Sequence, residues 1–105
     1  MIREGDVVRV EAGGKPGRPG VVLRVIDRDG VPFGFVPWGT GTLRPDRRHV
    51  AVDHRESAGI ALDLSKPTYF YPGNVWIGPV ARLERGPATY PPELVRALRS
   101  LFGLR

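Results

Sequence analysis

Residues able to do chemistry crowd into positions 38–49, WGTGTLRPDRRH. Arg44, Arg47, Arg48 and His49 form a basic cluster just past a glycine-rich segment carrying Thr40 and Thr42. A guanidinium donates two parallel hydrogen bonds to a phosphate, so this cluster could track a nucleic-acid backbone. The alternative is a solvated basic loop. Trp38 stands beside the threonines and could stack on an unpaired base, or pack in the core. Histidine is the usual general base at neutral pH. His49 and His54 are the only candidates, and the sequence pairs neither with a second catalytic group. Two histidines without a cysteine cannot close a zinc site by themselves.

The whole chain shares this basic bias. Sixteen Lys and Arg against eleven Asp and Glu give a formal charge of +5, spread along the sequence rather than gathered in a tail. Such an excess favours polyanion partners, because each neutralised phosphate releases counterions. The lack of cysteine excludes disulfide staples and fits a reducing cytoplasm. No apolar run reaches the roughly 18 residues of a spanning helix. The start, MIREGD, lacks the apolar core of a signal peptide. The expectation is a cytoplasmic protein without a membrane partner. A length of 105 residues predicts one domain, 1–105, with one modest core.

Which elements would position these residues? Fourteen glycines and eleven prolines punctuate short β-branched and aromatic runs, the pattern of a mainly β domain with tight corners. Strands are predicted at 6–11, 21–26, 31–37, 49–54, 68–71 and 74–84. DRDG at 27–30 reads as a turn and Pro72-Gly73 as a corner. Phe33 and Phe35 should share a face. Pro79 argues against an uninterrupted central strand. Residues 39–50 read as a loop or weak edge strand, and a short helix is predicted near 57–62. The clearest helix is PPELVRALRSLF, about 91–102. Its Leu94, Val95, Leu98, Leu101 and Phe102 make one apolar stripe, a proline suits its first turn, and Gly103 suits its stop. Arg96 and Arg99 are expected toward solvent.

Two resemblances arise in this frame. Within residues 5–30, Gly17, Gly20, Val22 and Val25 resemble a KOW motif, a glycine turn that approaches ribosomal RNA. This covers about a quarter of the chain. The second resemblance runs through the whole chain. GDVVRV followed by GRPGVVL is similar to the first two strands of the PemK/MazF toxin endoribonucleases, in which an Arg-Pro pair opens the second strand; Arg18-Pro19 matches it. Gly20 departs from the larger apolar residue usual there. FVPWGTGT, RRHVAV, SAGIALDLSKPTYFY, NVWIGPVARLERG and the terminal helix then follow in the family's order.

The PemK/MazF resemblance implies a small SH3-like β-barrel with a C-terminal helix. It implies the toxin of a type II toxin–antitoxin pair, acting in the cytoplasm as a homodimer and silenced by an acidic antitoxin. Its reaction is metal- and cofactor-independent cleavage of single-stranded RNA, whose flexible backbone permits in-line attack of a 2′-hydroxyl. On this resemblance Arg18 and Thr40 are the catalytic candidates, with Thr42 as the substitute hydroxyl. Lys15, Arg44, Arg47, Arg48 and Trp38 are the RNA-binding candidates. The loop AGGKPG, 12–17, is expected to be mobile and near the substrate groove. The alternative is a non-catalytic SH3-like or KOW-type module that binds RNA or protein through the same surface.

Overall fold

The computed structural model describes residues 2–87 and 90–104. It is mainly β, with strands β1 (Val7–Ala12), β2 (Lys15–Val21), β3 (Arg24–Arg28), β4 (Val31–Thr40), β5 (Val50–Val52), β6 (Thr68–Pro79) and β7 (Glu84–Arg85). Helix α1 (Ser57–Ala61) lies between β5 and β6, and helix α2 (Pro92–Leu101) closes the chain. The strands run antiparallel in the order β5-β6-β4-β2-β1-β7, and β3 pairs with β4 off this path. The end strands β5 and β7 do not pair with each other, so the sheet does not close into a barrel.

Two apolar clusters lie on opposite faces of the first strands, which is why neighbours Val7 and Val8 are both buried. Val7, Val21, Leu23 and Phe70 pack with Leu94, Leu98 and Leu101 of α2. Val8, Val10, Val22 and Val36 form the other cluster, flanked by Trp38 and Trp76. Burying one such Val or Leu side chain contributes about 1.5–3 kcal/mol.

Helix α2 follows the predicted stripe. Leu94, Val95, Leu98 and Leu101 are buried, and Phe102 meets Phe35 edge to face at 5.4 Å. Gly103 takes φ 69°. The Gly103 and Leu104 amides donate to the Ser100 and Arg99 carbonyls, which terminates the helix. Arg99 departs from expectation. Its Nη1 donates to the Leu23 carbonyl at 3.0 Å, tying the helix to the sheet. Among the described residues no helix is long and apolar enough to cross a membrane.

Three local expectations need correction. The predicted strand 21–26 is two strands: Val22 bonds back to Asp6, Leu23 turns to Phe35, and β3 continues on β4. Both residues are fully buried, because the chain passes through the core at this corner. The segment 12–17 is no open loop. Gly13 and Gly14 take φ 58° and 77°. They close a two-residue hairpin of the kind that matches strand twist. Finally, Pro72-Gly73 does not separate two strands. Strand β6 continues through it, and β4 steps from Pro37 to Gly39 while β6 steps from Val75 to Phe70. The surplus residues of β6 bulge out of the ladder, a device that re-aims side chains. Pro79 is accommodated because it ends the strand.

Candidate nucleic-acid interface

The site begins at one cross-strand pair. Gly20 of β2 stands opposite Trp38 of β4. Side chains alternate along a strand, so Arg18 shares the face of Gly20, and Thr40 shares the face of Trp38. Arg18 and Trp38 are then diagonal neighbours within reach of long side chains. The Arg18 guanidinium carbon lies 5.1 Å from the centroid of the Trp38 ring, a cation–π geometry. Its Nε makes a long 3.4 Å bond to the Ala12 carbonyl. The hairpin turn makes room for the pair: a Cβ on Gly13 would stand 2.9 Å from Trp38 Cη2 and 3.4 Å from Arg18 Nη2.

This pair lines a cavity of about 260 Å³ together with Gly13, Thr40, Thr42, Arg44, Arg47, Tyr71 and Asn74. All three candidate catalytic residues, Arg18, Thr40 and Thr42, therefore meet at one concavity, and the RNA-binding candidates Trp38, Arg44 and Arg47 join them. Thr40 is the last residue of β4 rather than a loop residue, so the sheet fixes its position. Its Oγ1 accepts the Thr42 amide at 3.3 Å. That bond shapes the turn yet leaves the hydroxyl proton free to donate.

Two predicted residues fall elsewhere. Arg48 turns away, and its Nη2 donates to the Ser100 carbonyl of α2 at 3.4 Å. Lys15 lines a neighbouring cavity, which shares Arg18 with the first. The divergence follows from a bulge. Between the pairs Val10–Arg18 and Ala12–Lys15, β2 carries one residue more than β1. Gly17 in that stretch takes φ 70°.

Three further contributors were not singled out from the sequence: Gly13, Tyr71 and Asn74. The buried Tyr71 hydroxyl accepts the Arg44 amide at 2.6 Å and donates to the Thr42 carbonyl at 2.9 Å, so one side chain holds both ends of residues 42–44. Tyr71 and Asn74 are the first and last of the residues 71–74 that bulge from β6. The corner signal Pro72-Gly73 was the only sequence sign of it.

His49 stands behind the wall rather than in it. Its ring lies 5.6 Å from that of Tyr71 and 5.8 Å from that of Tyr69. Its Nδ1 lies 2.7 Å from the Arg47 carbonyl oxygen. That oxygen can only accept, so Nδ1 carries the proton. His54 is beside Asp53, with Nδ1 3.6 Å from Oδ1, and does not line the cavity.

Chemically, the cavity offers three guanidiniums, two aliphatic hydroxyls and an amide, with no carboxylate among its described lining residues. Such a set of donors is chemically suited to an anion with several oxygens. No protein-family model matches this chain, and no curated protein is significantly similar to it.

Proposed function

We propose that this protein is a PemK/MazF-like toxin endoribonuclease that cleaves single-stranded RNA without a metal. One observation carries the reading: Arg18 and Thr40, brought from separate strands, line one cavity with two more arginines and no carboxylate among its described lining residues. In this reading the substrate's 2′-oxygen bonds to the adjacent phosphorus as the bond to the 5′-oxygen breaks. The 2′-hydroxyl proton passes to solvent, and the departing 5′-oxygen takes a proton from solvent water. The products are a 2′,3′-cyclic phosphate and a 5′-hydroxyl. Arg18 donates to two non-bridging oxygens and Thr40 adds one hydrogen bond, both strengthening as the phosphorane gains charge. Trp38, beneath Arg18, fixes the guanidinium and offers an edge to a neighbouring base.

The finer architecture in this reading is a partly open SH3-like barrel acting as a homodimer. An apolar patch supports a second copy. Ile26 pairs with Phe33, and Ile77 pairs with Phe35, so both isoleucines lie on one sheet face. There they are 54% and 63% exposed. Exposed apolar surface of this kind is a common mark of an interaction site. The arginine-lined cavity also suits an acidic antitoxin segment competing with RNA.

The test is incubation of the purified protein with a long single-stranded RNA in EDTA, beside Arg18→Ala. Cleavage by the wild type alone, leaving cyclic phosphate ends, supports the enzyme. Binding without cleavage by either protein rejects it in favour of a non-catalytic binding module.

A further inference from the structure

Beside the first cavity lies a second, of about 270 Å³, between the β1–β2 hairpin and residues 63–68. Arg9, Lys15, Arg18 and Lys66 line it, against the single carboxylate of Asp63 among its described lining residues. Four cations around one hollow repel one another, so the arrangement calls for a countercharge.

Arg9 states that need most directly. It projects from β1, partly buried, and its Nη2 donates to the Leu62 carbonyl at 2.6 Å. Its Nη1 is buried and has no acceptor among the described residues. Glu84 stands opposite Arg9 in the β1–β7 register, yet Arg9 makes no ion pair with any described residue. A partly buried guanidinium without a carboxylate partner is costly in a folded protein, and an anion in the adjoining hollow would offset that cost.

The two cavities adjoin at two points. Arg18 belongs to both. Gly41, between Thr40 and Thr42 of the first, lines the second. The Lys66 side chain crosses it so closely that a Cβ there would stand 2.7 Å from Lys66 Cε. Anions in the two hollows would therefore be successive rather than independent.

We infer that the second cavity is a phosphate subsite, holding a backbone phosphate adjacent to the one at Arg18 and Thr40. Lys15 and Lys66 contact it from exposed positions, and the partly buried Arg9 adds its charge to the lining. The inference rests on the nucleic-acid reading of the first cavity but not on cleavage. A strand spanning both hollows bends around Arg18, and the subsite selects a polymer over a mononucleotide.

The experiment measures binding of a fluorescent, fully 2′-O-methylated octanucleotide, which cannot be cleaved, across a salt series. Lys66→Ala, Lys15→Ala and Arg9→Met are compared with the wild type, and thermal melts verify folding. Each lysine variant should bind several-fold more weakly, with a log–log salt slope shallower by about 0.7, the value for one phosphate contact on a single strand. Arg9→Met should weaken binding about tenfold, the size of one interaction with a charged group. Lys66 is exposed, so the result with Lys66→Ala stands even if Arg9→Met fails to fold. Unchanged affinity and slope in Lys66→Ala and Lys15→Ala overturn the subsite. Inorganic phosphate is titrated in parallel. If it raises the melting temperature of the wild type but not of Lys66→Ala while octanucleotide binding is unchanged, a free phosphate compound is the ligand and the nucleic-acid subsite is overturned. A glutamate-rich peptide whose binding alone depends on Lys66 has the same consequence. Failure of the ribonuclease reading shows separately, as no cleavage of unmodified RNA by the wild type.

Discussion

The guanidinium of Arg18 lies over the indole of Trp38, 5.1 Å from carbon to ring centroid, at the mouth of an arginine-lined cavity. The contact joins a strand of the first hairpin to the long central strand β4. It also restricts the orientations open to a flexible cation, which would reduce the entropy cost of binding in the proposed reading.

Under the proposed ribonuclease reading, Arg18→Ala should lower cleavage of single-stranded RNA by about 100- to 1,000-fold, the usual effect of removing one preplaced oxyanion donor. Arg18→Lys should recover little, because an ammonium cannot donate as a planar fork. Initial rates at saturating RNA test both. Equal rates in Arg18→Ala and the wild type would remove Arg18 from the mechanism.

Gly13→Ala should damage both stability and site. The residue sits at φ 58°, and the new methyl would press on Trp38 Cη2. A loss of about 1 kcal/mol or more is expected from the backbone alone. Tryptophan fluorescence should shift with it. Gly14 has φ 77° and nothing within 4 Å, so Gly14→Ala incurs only the backbone cost and should leave the fluorescence unchanged.

Tyr71→Phe removes the hydroxyl that bridges Thr42 and Arg44, leaving a part-buried amide and carbonyl without partners. A destabilisation of about 1–3 kcal/mol should follow. Because Arg44 and Thr42 line the cavity, the proposed RNA binding should weaken as well, measured below the melting transition. Full binding in a destabilised variant would show that residues 42–44 need no such anchor.

Gly59→Ala tests the packing of α1. A Cβ there would strike the Asp53 carbonyl oxygen and the His54 backbone, which cannot move aside like a flexible side chain. Overpacking of this kind typically costs about 1–3 kcal/mol. Chemical denaturation should show a lower midpoint. An unchanged midpoint would mean that α1 shifts freely on the sheet.

Acid stability should depend in part on Asp53. The side chain and backbone amide of Arg55 hold its carboxyl at a pKa of about 2, below the ordinary 3.8. A carboxyl with a depressed folded-state pKa contributes stability that is complete above its unfolded value. That contribution falls away between pH 3.8 and about 2 as the group protonates. In Asp53→Asn the pH dependence of unfolding across this window should flatten. Because the pair is exposed, the effect should shrink with added salt. An unaltered acid limb would show that the Arg55 contact does not persist in solution.

Local features were legible in neighbouring residues. The apolar stripe of Leu94, Val95, Leu98 and Leu101, with Pro92 before it and Gly103 after it, specified α2 to within a residue at each end, since helix period and capping are written in neighbouring residues. The β-branched runs likewise marked most strands, and the basic, carboxylate-poor segment 38–49 marked one wall of the site. Tertiary structure decided which residues meet. Arg18 reaches Trp38 and shares a cavity with Thr40 because Gly20 pairs with Trp38, and a shift of one residue would send them to the opposite face. The bulge at Gly17 parts Lys15 from the first cavity, and the bulge of residues 71–74 brings Tyr71 and Asn74 into it. Arg48 leaves the cluster because a helix carbonyl from the far end of the chain lies within its reach. Register and bulges depend on pairing between distant strands, and no local period or turn signal encodes that pairing.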